Sequence, residues 1–403
     1  MRLLKAVFTL ALLASALLPW NATAIDRADF AGKQTGAFNP NYAEDLLVKS
    51  LLEITQGQLQ QALTTVDEVL RTTPNFKLAH LVRGDLLMAL SQQFQGFGNT
   101  TDSSQVEALR TEAQVRLEHY LTEEEPQKFP EPLWQLEPNQ QHVIVVDASK
   151  SRLYVYRNEG GRPRYVADYY VTLGKNGSGK SSEGDKRTPL GVYFASSKLD
   201  KKLPDFYGDA AYPLNYPNVW DKHQGKSGHG IWLHGTPTTT YSRPPRASDG
   251  CVVIANQDLK SLAPILSNGK TPVIIANNIE WLEANAAIAE KASLSDALEN
   301  WRRDWQAQDT DSYLAHYSKT FFSAQADLAQ WAKEKRYIQA RKSKVEITLS
   351  NISMFRYPDK NLQMALVSFD QDYKSGSLDS RIRKRQYWVL EDQHWKIMYE
   401  GPA

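Results

Sequence analysis

The chain has almost no cysteine: one, Cys251, among 403 residues. A single thiol excludes any internal disulfide and any multi-cysteine metal cluster. Charge of one sign is also missing, with 47 basic against 46 acidic residues and a net charge of +1. No basic run stands out, so nothing suggests a nucleic-acid partner. No group of His, Cys and Asp has ligand spacing, so neither a metal nor another cofactor is expected. Long apolar runs are scarce too. The one near the start, Leu10 to Leu18, follows Arg2 and Lys5 and precedes Ala22-Thr23-Ala24. That order reads as a secretory signal peptide over residues 1–24. It is short for a membrane span, although an uncleaved anchor is the alternative. The expectation is export to the periplasm. Exported domains usually hold their cysteines in pairs, so a lone thiol invites a chemical explanation. The other readings are a small buried hydrophobe or pairing between molecules.

What is present divides into parts. Residues 25–41 are polar and Gly-containing, a linker. Residues 42–122 show apolar positions at helical spacing, such as Leu59, Ala62, Leu63, Val66, Val69 and Leu70, broken at Gly57 and Pro74. This resembles one tetratricopeptide-like unit. One unit cannot form a solenoid, so a small helical bundle is expected, with a homodimer through these helices as its candidate role. Residues 123–137 are rich in acid and proline and read as a second linker. From His142 the period changes to that of strands, and residues 138–280 read as a mainly-β domain with one helix from Asn256. Asn256 is the expected helix cap. The loop Gly174 to Gly184 reads as flexible. Residues 290–403 read as three helices, at Leu294–Gln308, Tyr313–Phe322 and Ala324–Arg341, followed by four strands. The fold class is multidomain: an N-terminal α-helical bundle, a central mainly-β domain and a C-terminal α+β cone.

The chemistry concentrates in two short segments of the central part. One is His234-Gly235-Thr236, after an apolar strand; the other is Ser248-Asp249-Gly250-Cys251. A thiol nucleophile needs a base within reach, and an imidazole works near neutral pH. His234 is the expected base. His229, at the mouth of the strand, is the competing base or a substrate-lining residue. The backbone around Asp249, Gly250 and Cys251 offers N–H groups for an oxyanion, and Gly250 permits the tight turn. Ser248 and Asp249 belong to that turn. Arg246 is a candidate for a substrate carboxylate, with a solvated loop arginine as the plain alternative. Tyr216 is a candidate substrate contact, with packing as its alternative.

Taken in order, Lys186-Arg187-Thr188-Pro189-Leu190-Gly191-Val192-Tyr193, His234-Gly235-Thr236 and Ser248-Asp249-Gly250-Cys251 resemble the L,D-transpeptidase catalytic domain, the YkuD-like fold. The resemblance covers about a third of the chain. It implies action on peptidoglycan stem peptides: Cys251 attacks the amide before the terminal D-alanine, His234 carries the proton, and the Gly235 carbonyl orients the ring. Transfer to a second stem amine, the expected reaction, makes the protein a transpeptidase; transfer to water, the alternative, makes it an L,D-carboxypeptidase. One departure stands in the motif: Asp249 occupies a position where the family often has histidine. It is the only support for a third reading, a non-catalytic murein-binding scaffold. The C-terminal part resembles the nuclear-transport-factor-2-like fold, through its element order and its closing strands with Trp388 and Trp395. That fold implies a pocket, with murein or a protein as candidate ligand. Helices, catalytic domain and cone in this order resemble the layout of cell-shape L,D-carboxypeptidases.

Overall fold

In the computed structural model, residues 42–91, 103–122, 128–200, 202–266, 270–340, 344–376 and 378–403 are described. The signal segment and the linker 25–41 lie outside them.

Four helices come first: α1 Tyr42–Thr55, α2 Leu59–Thr72, α3 Lys77–Leu90 and α4 Ser103–Leu121. Gly57, at φ +75°, reverses the chain between α1 and α2. The stripe Ala62, Val66 and Val69 is fully buried against Leu47, Phe76 and Leu86, and this core also takes in Tyr241 and Ala255 of the next domain. A buried ionic network fixes the contact. Arg116 of α4 pairs with Glu44 of α1 at 2.7 Å and with Glu112 at 2.9 Å. Arg152 pairs with Glu44 at 2.8 Å and with Asp168 at 2.7 Å, and Ser242 donates to Glu112 at 2.6 Å. Charges this deep are tolerated only when paired. The helical face carrying these groups is therefore filled by the same chain.

The segment expected as the second linker carries two strands, β1 Phe129–Pro130 and β2 Leu133–Gln135. The central domain follows with β3 His142–Asp147, β4 Arg152–Glu159, β5 Arg162–Gly174, β6 Gly191–Phe194, β7 Ala211–Pro213, the short α5 Val219–His223, β8 Trp232–His234, β9 Arg246–Ser248, β10 Val252–Ile254, α6 Asn256–Leu266 and β11 Pro272–Ala276. Eight strands lie in the order β6-β11-β3-β4-β5-β10-β8-β7, and β9 pairs with β5. Strands β3 and β4 form a hairpin that sets His142 opposite Arg157 and Asp147 opposite Arg152. Three pairings in this sheet run parallel: β11 beside β3, β10 beside β8 and β9 beside β5.

Strand β3 reads Val143-Ile144-Val145-Val146 because both of its faces are covered. Ile144 and Val146 enter the domain's own core with Leu153, Val155, Val252, Ile254 and Leu262. Val143 and Val145 face the other way, with Tyr154, Tyr156 and Ile274, onto Phe355, Tyr357, Leu366, Tyr387 and Tyr399 of the C-terminal domain.

That last domain starts after β12 Trp281–Leu282, which pairs with β1. Then come α7 Ala284–Ala307, α8 Thr310–Ala315, β13 Tyr317–Phe322, α9 Leu328–Gln339, β14 Glu346–Tyr357, β15 Met364–Ser375, β16 Leu378–Glu391 and β17 His394–Pro402. Its sheet runs β13-β17-β16-β15-β14-β2. The expected helix over 313–322 is corrected: it ends at Ala315, and Tyr317–Phe322 is a strand parallel to β17. The aromatic and β-branched run suits a strand, and Tyr317 is held there by a 2.9 Å bond to the Glu400 carboxylate. Strand β2 closes the far edge against Met354 and Phe355, so residues once read as linker are part of the C-terminal sheet.

Candidate active site

The site lies on the seam between β8 and β10. The parallel register sets Val252 beside Leu233 and Val253 beside His234. Leu233, Val252 and Ile254 point into the core. Alternation along each strand therefore puts Trp232, His234 and Cys251 together on the opposite face. The sequence pair His234 and Cys251 is brought together by this pairing.

The Cys251 thiol is half-buried and faces the chain before β8. It donates toward the Gly230 carbonyl, and the Trp232 N–H donates to its sulfur, each at 3.5 Å. Burial raises its pKa; the Trp232 N–H and the nearby Arg243 and Lys180 work against the rise, and Asp249 adds to it. His234 is buried, and its Nδ1 lies 2.7 Å from the Gly235 carbonyl. Burial lowers its pKa to about 4, against the pull of the Gly235 and Tyr207 carbonyls and with help from the Arg243 charge. At neutral pH the two groups thus rest as thiol and neutral imidazole. With Nδ1–H donated to Gly235, Nε2 is left as the acceptor.

Two glycines are dictated by space. A Cβ on Gly235 would sit 2.0 Å from the Asn256 Oδ1 atom. At Gly250, φ is +123° and a Cβ would lie 2.8 Å from the Arg187 carbonyl oxygen. The turn before the thiol is laced by Ser248, whose Oγ donates to the Cys251 carbonyl at 2.7 Å and accepts from the Gly250 N–H at 3.1 Å. The Gly250 N–H, one of the expected oxyanion donors, thus bonds the Ser248 hydroxyl in this structure.

The remaining candidates separate from the pair. Asp249 is exposed and bound by Lys175 at 3.1 Å, which ties the turn to the loop after β5. That loop, expected as flexible, is held by the Asp185 carboxylate. It accepts from Lys180 Nζ and Ser181 N at 2.8 Å each, from Arg187 N at 3.0 Å and from Ser182 N at 3.1 Å. His229 is 82% exposed and 3.8 Å from Glu183. Tyr216 is buried in the core, with its hydroxyl donating to the Ser227 carbonyl at 3.0 Å. Arg246 is exposed on β9.

Arg243, three residues earlier, is the arginine that faces the site. Its guanidinium lies 5.0 Å from the Phe206 ring, and that ring stands 6.2 Å from His234. Tyr207 packs on both His234, at 5.2 Å, and Trp232, at 4.9 Å. Asn256 is not the expected cap. It opens α6 and bridges backwards, accepting from Asp209 N at 3.0 Å and donating to the Thr236 carbonyl at 2.8 Å. Only its place after the β10 run pointed to it. Nothing in the sequence marked Arg243 over Arg246; the choice is made where Pro244-Pro245 turns into β9, at the Leu173 N–H bond to the Pro245 carbonyl.

Residues 141–275 match the sequence model of the L,D-transpeptidase catalytic domain, YkuD. Residues 293–401 match that of the Cds6 C-terminal NTF2-like domain. Among solved structures, Bdellovibrio bacteriovorus Bd1075 is similar, with 28% identity and a TM-score of 0.61 over 68% of this chain and 98% of that one. The helical cell shape determining protein Pgp2 from Campylobacter jejuni is similar too, with 27% identity and a TM-score of 0.58 over 67% of this chain and 95% of that one. No curated protein matches the chain. With the cysteine and histidine on one strand seam inside the matched segment, the chain carries a YkuD L,D-transpeptidase catalytic domain in front of an NTF2-like one, which makes it an L,D-transpeptidase or L,D-carboxypeptidase enzyme.

Proposed function

We propose that the protein is an L,D-carboxypeptidase that trims tetrapeptide stems of peptidoglycan to tripeptides. Cys251 attacks the carbonyl between the diamino acid and the terminal D-alanine, forming a C–S bond. Its proton passes to His234 Nε2 and from there to the leaving amine, and D-alanine departs. Water then attacks the thioester, His234 takes its proton, the C–S bond breaks, and the thiolate is reprotonated. The observation carrying this chemistry is the buried, neutral His234, fixed by Gly235 on the same seam face as the one thiol. A base that is uncharged at neutral pH is ready to accept the thiol proton.

The choice of water as acceptor rests on layout. The chain spans nearly the whole length of a protein named for determining helical cell shape, and its three-part order resembles cell-shape L,D-carboxypeptidases. Transfer to a second stem amine, the transpeptidase reaction, is the second reading; it shares the first half-reaction and is favoured by the name of the matching domain. The test is incubation of the protein, and of Cys251→Ala, with purified disaccharide-tetrapeptide, followed by mass spectrometry. Tripeptide made only by the wild type supports the carboxypeptidase. Cross-linked dimer supports the transpeptidase. If neither forms while murein is still bound, the scaffold reading replaces both. Export to the periplasm is proposed on the same grounds, since the substrate lies there.

A further inference from the structure

The loop after β8 joins His234 to β9 and the turn before Cys251. Its middle is held from outside the central domain. Tyr241 is 7% exposed and belongs to the core of the helical bundle. Its ring stands 4.6 Å from that of Phe76, the residue before α3. The Tyr241 N–H donates to the Asn75 carbonyl at 3.1 Å, and Asn75 Nδ2 donates to the Thr238 carbonyl at 3.0 Å. Ser242 adds its bond to Glu112 of α4. The bundle thus grips the loop at Thr238, Tyr241 and Ser242.

The grip is passed to both ends of the loop. The Tyr241 carbonyl accepts from Thr236 Oγ1 at 3.2 Å, and Thr236 follows Gly235, whose carbonyl holds the His234 ring. At the other end, the Arg243 carbonyl accepts from Thr172 Oγ1 at 2.8 Å and from the Tyr170 hydroxyl at 2.9 Å. The Arg116 guanidinium of α4 lies 3.8 Å from the Tyr170 ring, a cation–π contact from the bundle. Among the described residues no helix or strand lies between β8 and β9, so the course of the loop is set by these bonds. The four helices precede both segments that match family models, which start at residues 141 and 293. The matched catalytic segment therefore does not supply this grip itself.

We propose that the helical bundle is a positioning element of the active site, acting through Asn75 and Tyr241 on the loop that places the Gly235 carbonyl. Asn75 and Tyr241 are positioning residues, since they reach His234 only through that loop. With the loop held, Gly235 keeps the imidazole in the tautomer that accepts the thiol proton. With the loop loosened, the ring loses its orientation, and proton transfer slows while the substrate still binds. The grip rests on the contacts alone; its effect on turnover rests on the function proposed above.

The test uses the full chain with Tyr241→Ala and Asn75→Ala, against Tyr241→Phe and Ala62→Gly as comparisons. Tyr241→Phe keeps the ring against Phe76. Ala62→Gly weakens the bundle from within α2, where the Ala62 carbonyl accepts from Ser50 of α1, and alters none of the groups that hold the loop. The first readout is hydrogen exchange by mass spectrometry, which needs no substrate. Tyr241→Ala and Asn75→Ala should speed exchange over residues 234–243 and leave β3 and β4 unchanged. The second is release of D-alanine from disaccharide-tetrapeptide, the step that both acceptors share. In Tyr241→Ala kcat should fall about tenfold or more with little change in KM, and less steeply in Asn75→Ala, while both comparisons stay within about twofold of the wild type. Asn75 is half-buried, so its variant serves where Tyr241→Ala fails to fold. Unchanged exchange over the loop, or a fall in kcat that Ala62→Gly reproduces at an equal loss of melting temperature, overturns the proposal. A wild type that releases no D-alanine overturns the function proposed above, and exchange still decides the grip, so the two failures are told apart.

Discussion

At the scale of residues, the resting pair of thiol and neutral imidazole makes a pH prediction. The His234 pKa is lowered by burial, so the ring is protonated, and useless as a base, only below about pH 4. The acid limb of kcat/KM for D-alanine release should therefore fall with an apparent pKa near 4, well under the usual imidazole value. A limb near 6.5 measured on the intact protein would contradict it. Asn256→Ala removes the side chain that links Asp209 N to the Thr236 carbonyl beside the histidine. It should lower kcat about tenfold or more with little change in KM, at a stability cost of roughly 1–3 kcal/mol, read by steady-state kinetics and thermal denaturation. Cys251 and His234 were legible as a candidate pair because Cys251 is unique and His234 sits next to a glycine in a strand. Asn256 and Arg243 were not, since each acts through a backbone path set by distant segments. The bond from the Gly250 N–H to Ser248 was not legible either, because it depends on how the turn before the thiol folds back.

Among the elements, helix α6 and the α1–α4 face carry the consequences. Asp258, in the first turn of α6, is buried; burial, and then the Glu44 charge, raise its pKa to about 8. Its folded pKa lies above the unfolded one, so the carboxyl favours the native state when protonated, and this contribution is lost as pH rises from about 4 to about 8. Asp258→Asn should match the wild type near pH 4 and be more stable by roughly 1–3 kcal/mol at pH 8–9; melting curves across that window decide. Arg116→Met leaves Glu44 and Glu112 buried with one cation fewer, and should cost about 3–5 kcal/mol, seen as a lower denaturation midpoint. The helices themselves were readable from their spacing. Their docking face was not, because Glu44, Glu112 and Arg116 look like ordinary solvated charges until Arg152 and Ser242 are brought against them. The strand at Tyr317–Phe322 was masked by helical spacing that continues across Tyr313 and Tyr317, both of which do share one core.

For the whole molecule, the central sheet belongs to two domains at once. Its second apolar face is covered by the C-terminal sheet, and β2 reaches from one domain into the edge of the other. Phe355→Ala, at a fully buried position of this shared core, should cost about 3–5 kcal/mol. It should shift the melting of the catalytic and C-terminal parts together, as one calorimetric transition; two separated transitions would refute the coupling. The unbroken apolar run of β3 already implied a covered second face, but not what covers it, and the prolines around β2 disguised a strap as a spacer. Because that strap and the shared core bind the two sheets face to face, the C-terminal domain serves the catalytic sheet as a splint: cutting it away would bare the outer apolar face of β3 to water.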